Sequence, residues 1–154
     1  WSSSISGLTL TSPSIVSPAL SAPNIYNPQE PWLVSATALT GTVNIDLANN
    51  NNQYFSSSAT GNWVPNIRWN STTTFNSRLA NQTSATVAIA VTQGATAYRP
   101  TGFSIDGVSY TPRWQGGTAP TFGNANSIDV YLYLILKTST SPTYVVFASQ
   151  TRFA

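Results

Sequence analysis

The chain has 154 residues, of which only 6% are charged, and six Lys and Arg against four Asp and Glu leave a formal charge of +2. That length allows one ordinary domain with a real core, but six scattered cations make no basic path for nucleic acid. Cys and His are both absent, which removes disulfides, thiolate zinc sites, thiol nucleophiles and imidazole bases together.

About a quarter of residues are charged in an average domain, so this surface is neutral and polar, rich in Ser, Thr, Asn and Gln. A monomer normally relies on surface charge for solubility, and a charge-poor chain of this kind is expected to have much of its surface covered by neighbours. There is no run of 18 apolar residues and no signal-peptide pattern, so membrane insertion is not expected. Methionine is absent too, and the chain is expected to be a trimmed, processed or partial product.

From residue 5 to 28 the sequence repeats every five residues. Ile5, Leu10, Ile15, Leu20 and Ile25 supply the apolar position, and Pro13, Pro18, Pro23 and Pro28 recur in step. Proline fixes its own φ and biases the residue before it towards extended geometry, so this spacing excludes an α-helix. An extended segment of this length reaches roughly 75 Å. It cannot shelter its own Ile and Leu side chains, because residues five apart in a regular strand fall on opposite faces. An ordered stem of several chains is the reading adopted, with those five residues as the contacts. An arm laid on a neighbouring subunit and a Pro/Ser/Thr-rich linker are the alternatives. The division is therefore residues 1–31 as stem or assembly arm and 32–154 as head, with Trp32 closing the bottom of the core.

Beyond the hinge, Val43, Ile45 and Leu47 alternate with Thr42, Asn44 and Asp46, the pattern of a half-buried strand. The Asn49–Asn52 run predicts a turn. Tyr54 and Phe55 begin a second apolar patch, and a third surrounds Trp63, Ile67 and Trp69, where Pro65 predicts an edge or bulged strand. Residues 71–80 read as a short helix capped by Ser71 or Thr72, with Phe75 and Leu79 on one face. Val87, Ile89 and Val91 alternate as a strand. Phe103 and Ile105, then Asp106-Gly107, then Val108 and Tyr110 predict a hairpin with a type I′ turn. A loop dense in Gly, Pro and Asn covers 114–126. Ile128–Lys137 reads as a long strand apolar on nearly both faces, as at the centre of a sandwich, and Tyr144–Phe153 as its returning partner. The fold class is all-β, a jelly-roll-like β-sandwich behind an extended N-terminal stem.

Catalysis has little material. The carboxylates are Glu30, Asp46, Asp106 and Asp129, and a glycosidase would need two of them flanking a bond. Asp106 as a turn residue and Asp129 as a strand-start residue is the preferred account. Lys137 is the one lysine and has no Ser-x-x-Lys hydroxyl beside it. No Asp-rich loop is present for calcium, and no cofactor, metal or enzymatic activity is expected. Trp114, with Gln115, Arg113 and Tyr98, is the candidate surface for a glycan, an aromatic face with planar polar groups beside it. Large aromatics filling the core or a subunit seam are the competing account. Two tripeptides, Asn70-Ser71-Thr72 and Asn81-Gln82-Thr83, match glycosylation acceptors and matter only in a secretory pathway.

Several motifs stand out along the chain: the Ser-Pro-x-Ile/Leu leader, Asn27-Pro28-Gln29-Glu30-Pro31-Trp32, Gly41-Thr42-Val43-Asn44-Ile45-Asp46, Ala59-Thr60-Gly61-Asn62-Trp63, Val91-Thr92-Gln93-Gly94, Trp114-Gln115-Gly116-Gly117-Thr118-Ala119-Pro120 and Asn124-Ala125-Asn126-Ser127-Ile128-Asp129-Val130-Tyr131. Together they resemble virion structural proteins of tailed bacteriophages, especially marine ones. The resemblance spans nearly the whole chain and carries over no catalytic residues. It implies a homotrimeric fibre or decoration protein of the virion, on head or tail, made in the bacterial host cytoplasm. Its partners would be other copies, other virion proteins and a host-surface glycan. A carbohydrate-binding module of a secreted enzyme or adhesin is the alternative.

Overall fold

The computed structural model describes residues 29–141 and 143–153. The five-residue repeat, with its contacts Ile5, Leu10, Ile15, Leu20 and Ile25, lies outside the described residues. What is described is mostly strand, arranged in two sheets.

The first six strands alternate between the sheets. β1 (Trp32–Ser35), β3 (Asn52–Phe55) and β5 (Ser84–Thr92) lie side by side and parallel in one sheet. β2 (Gly41–Asp46), β4 (Trp63–Arg68) and β6 (Ser104–Ile105) do the same in the other. The chain is therefore a flattened parallel coil. One turn takes 20 residues from Trp32 to Asn52 and 22 from Gly41 to Trp63. The next turn is 16 residues longer in both sheets, from Asn52 to Ala88 and from Asn66 to Ser104. The surplus falls in the stretch that both spans share, which holds the short helix α1 (Phe75–Arg78).

The coil ends in antiparallel structure. β6 turns back into β7 (Val108–Ser109), while β8 (Arg113–Trp114), β9 (Ile128–Ser139) and β10 (Thr143–Phe153) complete the first sheet in the order β1-β3-β5-β9-β10-β8. Five of the eight described strand pairings are parallel. A jelly roll joins antiparallel strands by Greek-key connections, so the expected jelly-roll connectivity is replaced by the coil. Parallel neighbours need a crossover, and here the crossover is the strand in the opposite sheet.

Both sheets feed one core. Ile45, Trp63, Ile67 and Ile105 from the four-stranded sheet meet Phe55, Val87, Ile89, Val91, Tyr131, Tyr133 and Ile135 from the six-stranded one. Trp63 stands edge-on to Tyr131 at 5.3 Å, an arrangement that aromatic quadrupoles favour. The Asp106-Gly107 hairpin forms as the sequence predicts, with φ of 50° and 81° at its two central residues, which Gly and, among side-chain residues, Asp tolerate best.

Four expectations are corrected. β4 is interior, between β2 and β6, in spite of Pro65. Pro65 pairs with Val43 on the β2 side; on the other side the adjoining chain takes four steps from Pro100 to Ser104 while β4 takes three from Trp63 to Asn66, so there the proline faces a bulge-like irregular stretch, which keeps the bulged alternative and removes the edge one. The helix is one turn long, not ten residues, and its N-cap is Thr74 in place of Ser71 or Thr72. The reason is upstream: Asn70 Oδ1 accepts from the backbone N–H groups of Thr72 and Thr73 and holds a turn there. Trp32 does not close the core but is 45% exposed on β1. Finally, β9 lies at the centre of its sheet but is buried on one face alone.

Candidate functional site

The side chains of β9 divide by parity. Asp129, Tyr131, Tyr133, Ile135 and Lys137 are buried, whereas Leu132 and Leu134 are 42% and 41% exposed. Register carries the same division across the sheet. Leu134 stands opposite Phe147 on β10 and Thr86 on β5, and Leu132 stands opposite Ser149 and Ala88. Phe147 is 46% exposed. The row through Leu132 continues to Asn52 and Trp32, and the next row runs from Val130 through Ala90 and Tyr54 to Val34. The outer face of the six-stranded sheet thus exposes Leu132, Leu134 and Phe147 together on β9 and β10 and Trp32 and Val34 on β1, with the buried Ala88 and Ala90 and the polar Asn52, Thr86 and Ser149 between and beside them.

At one margin of this face β8 pairs with β10, placing Arg113 opposite Phe147 and Trp114 opposite Ala148. Trp114 leads into a single 3₁₀ turn at Gln115–Gly117, in which Gly116 and Gly117 have φ of 78° and 80°, a region where a Cβ is strained. Arg113, Trp114, Gln115, Thr86, Leu132, Leu134 and Phe147 line a shallow depression of about 520 Å³. Three of the four residues expected to touch a glycan are thereby brought together. Tyr98 is not among the lining residues; its backbone N–H and C=O are both engaged by the Gln93 side chain in the loop after β5. Trp114 is half-buried, its ring edge-on to Tyr133 at 6.0 Å, so only part of the indole faces the depression. The outward Leu132, Leu134 and Phe147 were missed at the sequence level. Leucine at alternate positions of a strand with Tyr and Ile between reads as double burial, and a sequence does not say which face is covered.

The carboxylates fall into separate settings. Asp106 accepts from the backbone N–H groups of Phe75 and Asn76 at 2.7 and 2.9 Å, so the turn residue also anchors the start of α1. Lys137 holds the other end, its Nζ donating to the carbonyls of Asn76 and Leu79 at 2.7 and 2.9 Å. Asp129 is fully buried, and its Oδ2 accepts from Gln93 Nε2 and the Asn124 N–H, each at 3.0 Å. Burial pushes its carboxyl above the usual carboxylate range, opposed by those two donors and by Arg152 and Gln150. Burial likewise raises Tyr131 and Tyr133, and lifts Tyr144 to about 12. Asp46 forms a two-point pair with Arg68 on the outer face of the four-stranded sheet. This bond raises the Arg68 guanidinium. Among the described residues, no three acidic, His or Cys side chains gather to hold a metal ion.

No protein-family model, curated protein or solved structure matches the chain.

Proposed function

We propose that this chain is a structural component of a virion, an appendage of fibre or decoration type that works by assembling with copies of itself and with other virion proteins. One observation carries the reading: Leu132, Leu134 and Phe147 stand exposed side by side on the outer face of the six-stranded sheet, in a chain whose residues are only 6% charged. Clustered exposed apolar side chains of this kind mark contact surfaces more often than scattered ones do. The motif resemblance to structural proteins of tailed bacteriophages points the same way, with residues 1–31 as stem, residues 32–154 as a β-sandwich head and a homotrimer as the assembled form. Light scattering of the intact chain tests it. A mass three times the 16.4 kDa of one chain is expected, and a single-chain mass across the micromolar range overturns the reading.

A second reading, glycan binding, is favoured by the depression beside Arg113, Trp114 and Gln115. It fits either a host-contact role of the appendage or a carbohydrate-binding module. Glycan-array binding by the intact chain that is lost in Trp114→Ala would support it. An array without signal would remove it and leave the assembly reading untouched.

A further inference from the structure

Resting on the assembly reading, we propose that the free edge of β1 takes a stretch of residues 14–27 from a neighbouring copy as an added strand, so that the base of one copy's stem completes the next copy's head. The edges of the two sheets are unlike. β7 and β8 end one side of each sheet and are two residues long, and edges that short resist further pairing. β1 and β2 end the other side with four and six residues, and both belong to the first turn of the coil. Stacked turns need their terminal turn covered. On β2 the outward Asn44 and Asp46 are engaged by Asn66 and Arg68. β1 has neither charge nor proline, and its Trp32, Leu33 and Val34 are all exposed. Leu33 shares its row with the buried Gln53, Ile89 and Tyr131, so its exposure marks where the core itself lies open.

Backbone direction agrees. The Ser35 carbonyl accepts from the Ser56 N–H at 2.8 Å, towards β3. Successive residues of a strand turn their N–H and C=O to opposite sides, so Trp32 and Val34 turn theirs to the free edge. Glu30 accepts from Asn52 Nδ2 at 3.1 Å, and Asn52 is the register partner of Trp32, so the chain enters β1 along the strand's own line. A strand entered in line leads away from its own edge, which favours a segment from another copy. The chemistry of that segment fits. Residues 1–29 hold no charged side chain, and the prolines at 13, 18, 23 and 28 leave windows 14–17, 19–22 and 24–27, each as long as β1 and each with one Ile or Leu at its second position. Within a window every residue can donate to a ladder, and the single Ile or Leu can lie beside Leu33 over the open end of the core. Handing each segment to the next copy is a head-to-tail contact, and closure after three copies gives the homotrimer.

Light scattering and cross-linking of the intact chain test this. Val34→Pro removes a donor facing the free edge and spares those facing β3, and is expected to raise the concentration at which copies assemble by about tenfold or more. A folded Val34→Pro protein that assembles at the parent concentration overturns the inference and leaves the assembly reading standing. The chain has no cysteine, so Leu33→Cys co-expressed in turn with Ile15→Cys, Leu20→Cys and Ile25→Cys reads the contact directly, since adjacent strands bring Cβ atoms within reach of a disulfide. At least one combination should oxidise to a bond between the two variants, and this decides the matter if circular dichroism shows Val34→Pro unfolded. No such bond in any combination overturns the inference, as does a bond that closes within one chain when both cysteines are placed in it. If the intact chain is itself a single chain, the inference and the assembly reading both fall.

Discussion

On the outer face of the four-stranded sheet, Asn66 donates to Asn44 Oδ1 at 2.8 Å and accepts from Ser104 Oγ and the Gly107 N–H, while Asp46 and Arg68 pair two residues along. On the outer face of the six-stranded sheet, the corresponding register pairs are Leu134 with Phe147 and Leu132 with Ser149. The first face satisfies its polar groups within the chain and leaves water to do the rest. The second sets Leu134 opposite Phe147 on the surface, both partly exposed, with the exposed Leu132 beside them. Cross-strand pairs stabilise either kind of face. Only the second gains further from being covered, at about 25 cal/mol per Å² of apolar surface removed from water. On the assembly reading proposed above, two sheets around one core divide the work, one satisfied in solvent and the other carrying the contact.

The sharpest way to break this comparison uses neighbouring residues on one strand. Ile135→Ala empties a core position and is expected to cost about 2–5 kcal/mol in denaturant unfolding. Leu134→Ala, on the opposite face, should cost under about 1 kcal/mol in dilute protein. Its effect should grow with concentration as copies associate. Equal losses at every concentration would mean that the outer face is not a contact surface.

Asp106→Ala comes next, because it strips two backbone N–H groups at the start of α1 of their acceptor and replaces a residue at φ 50°. A loss of about 1–3 kcal/mol is expected. Asp106→Asn should recover part of it, and a loss below about 0.5 kcal/mol for Asp106→Ala would show that α1 does not depend on this anchor.

Smaller still is the polar face. The Asp46 and Arg68 side chains are about a quarter exposed, and either Asp46→Ala or Arg68→Ala should cost no more than about 1 kcal/mol. Their coupling in a double-mutant cycle should shrink as salt is raised. A coupling insensitive to salt would mean that the pair is shielded, and that the two outer faces differ less than described.

The gentlest effect is a slope. The raised Asp129 carboxyl binds its proton more tightly in the folded chain than in the unfolded one, whose ordinary value is 3.8. Stability from this group is therefore fully present below that value and falls as pH rises through the folded value. The slope is at most about 1.4 kcal/mol per pH unit. In Asp129→Asn this component of the pH profile should vanish, and an unchanged profile would contradict the assignment.

Much of the strand content could be read from the residues. The alternation of Val87, Ile89 and Val91 located β5, Asp106-Gly107 located the hairpin, and the pairing of β9 with β10 followed from two long apolar runs around one turn. Arg113, Trp114 and Gln115 were singled out together, and they do line one depression. The course of the coil could not be read, because the ladder partner of a strand is set by distant residues: Asn52 lies beside Ala88, 36 positions away. The short helix was overestimated since Phe75 and Leu79 have helical spacing while Asn70 has already claimed the preceding turn.

Composition and local pattern alone determined that this protein would be mostly strand, poor in charge and without cysteine or histidine, since period-2 alternation and residue chemistry act over a few residues at a time. Only the tertiary structure decided which side of β9 is covered. Leucines at 132, 134 and 136 carry the same local signal whether a second layer lies over them or not, and the layer formed on the side of Tyr131, Tyr133 and Ile135, where the coil brings Trp63 and Phe103 across to meet them.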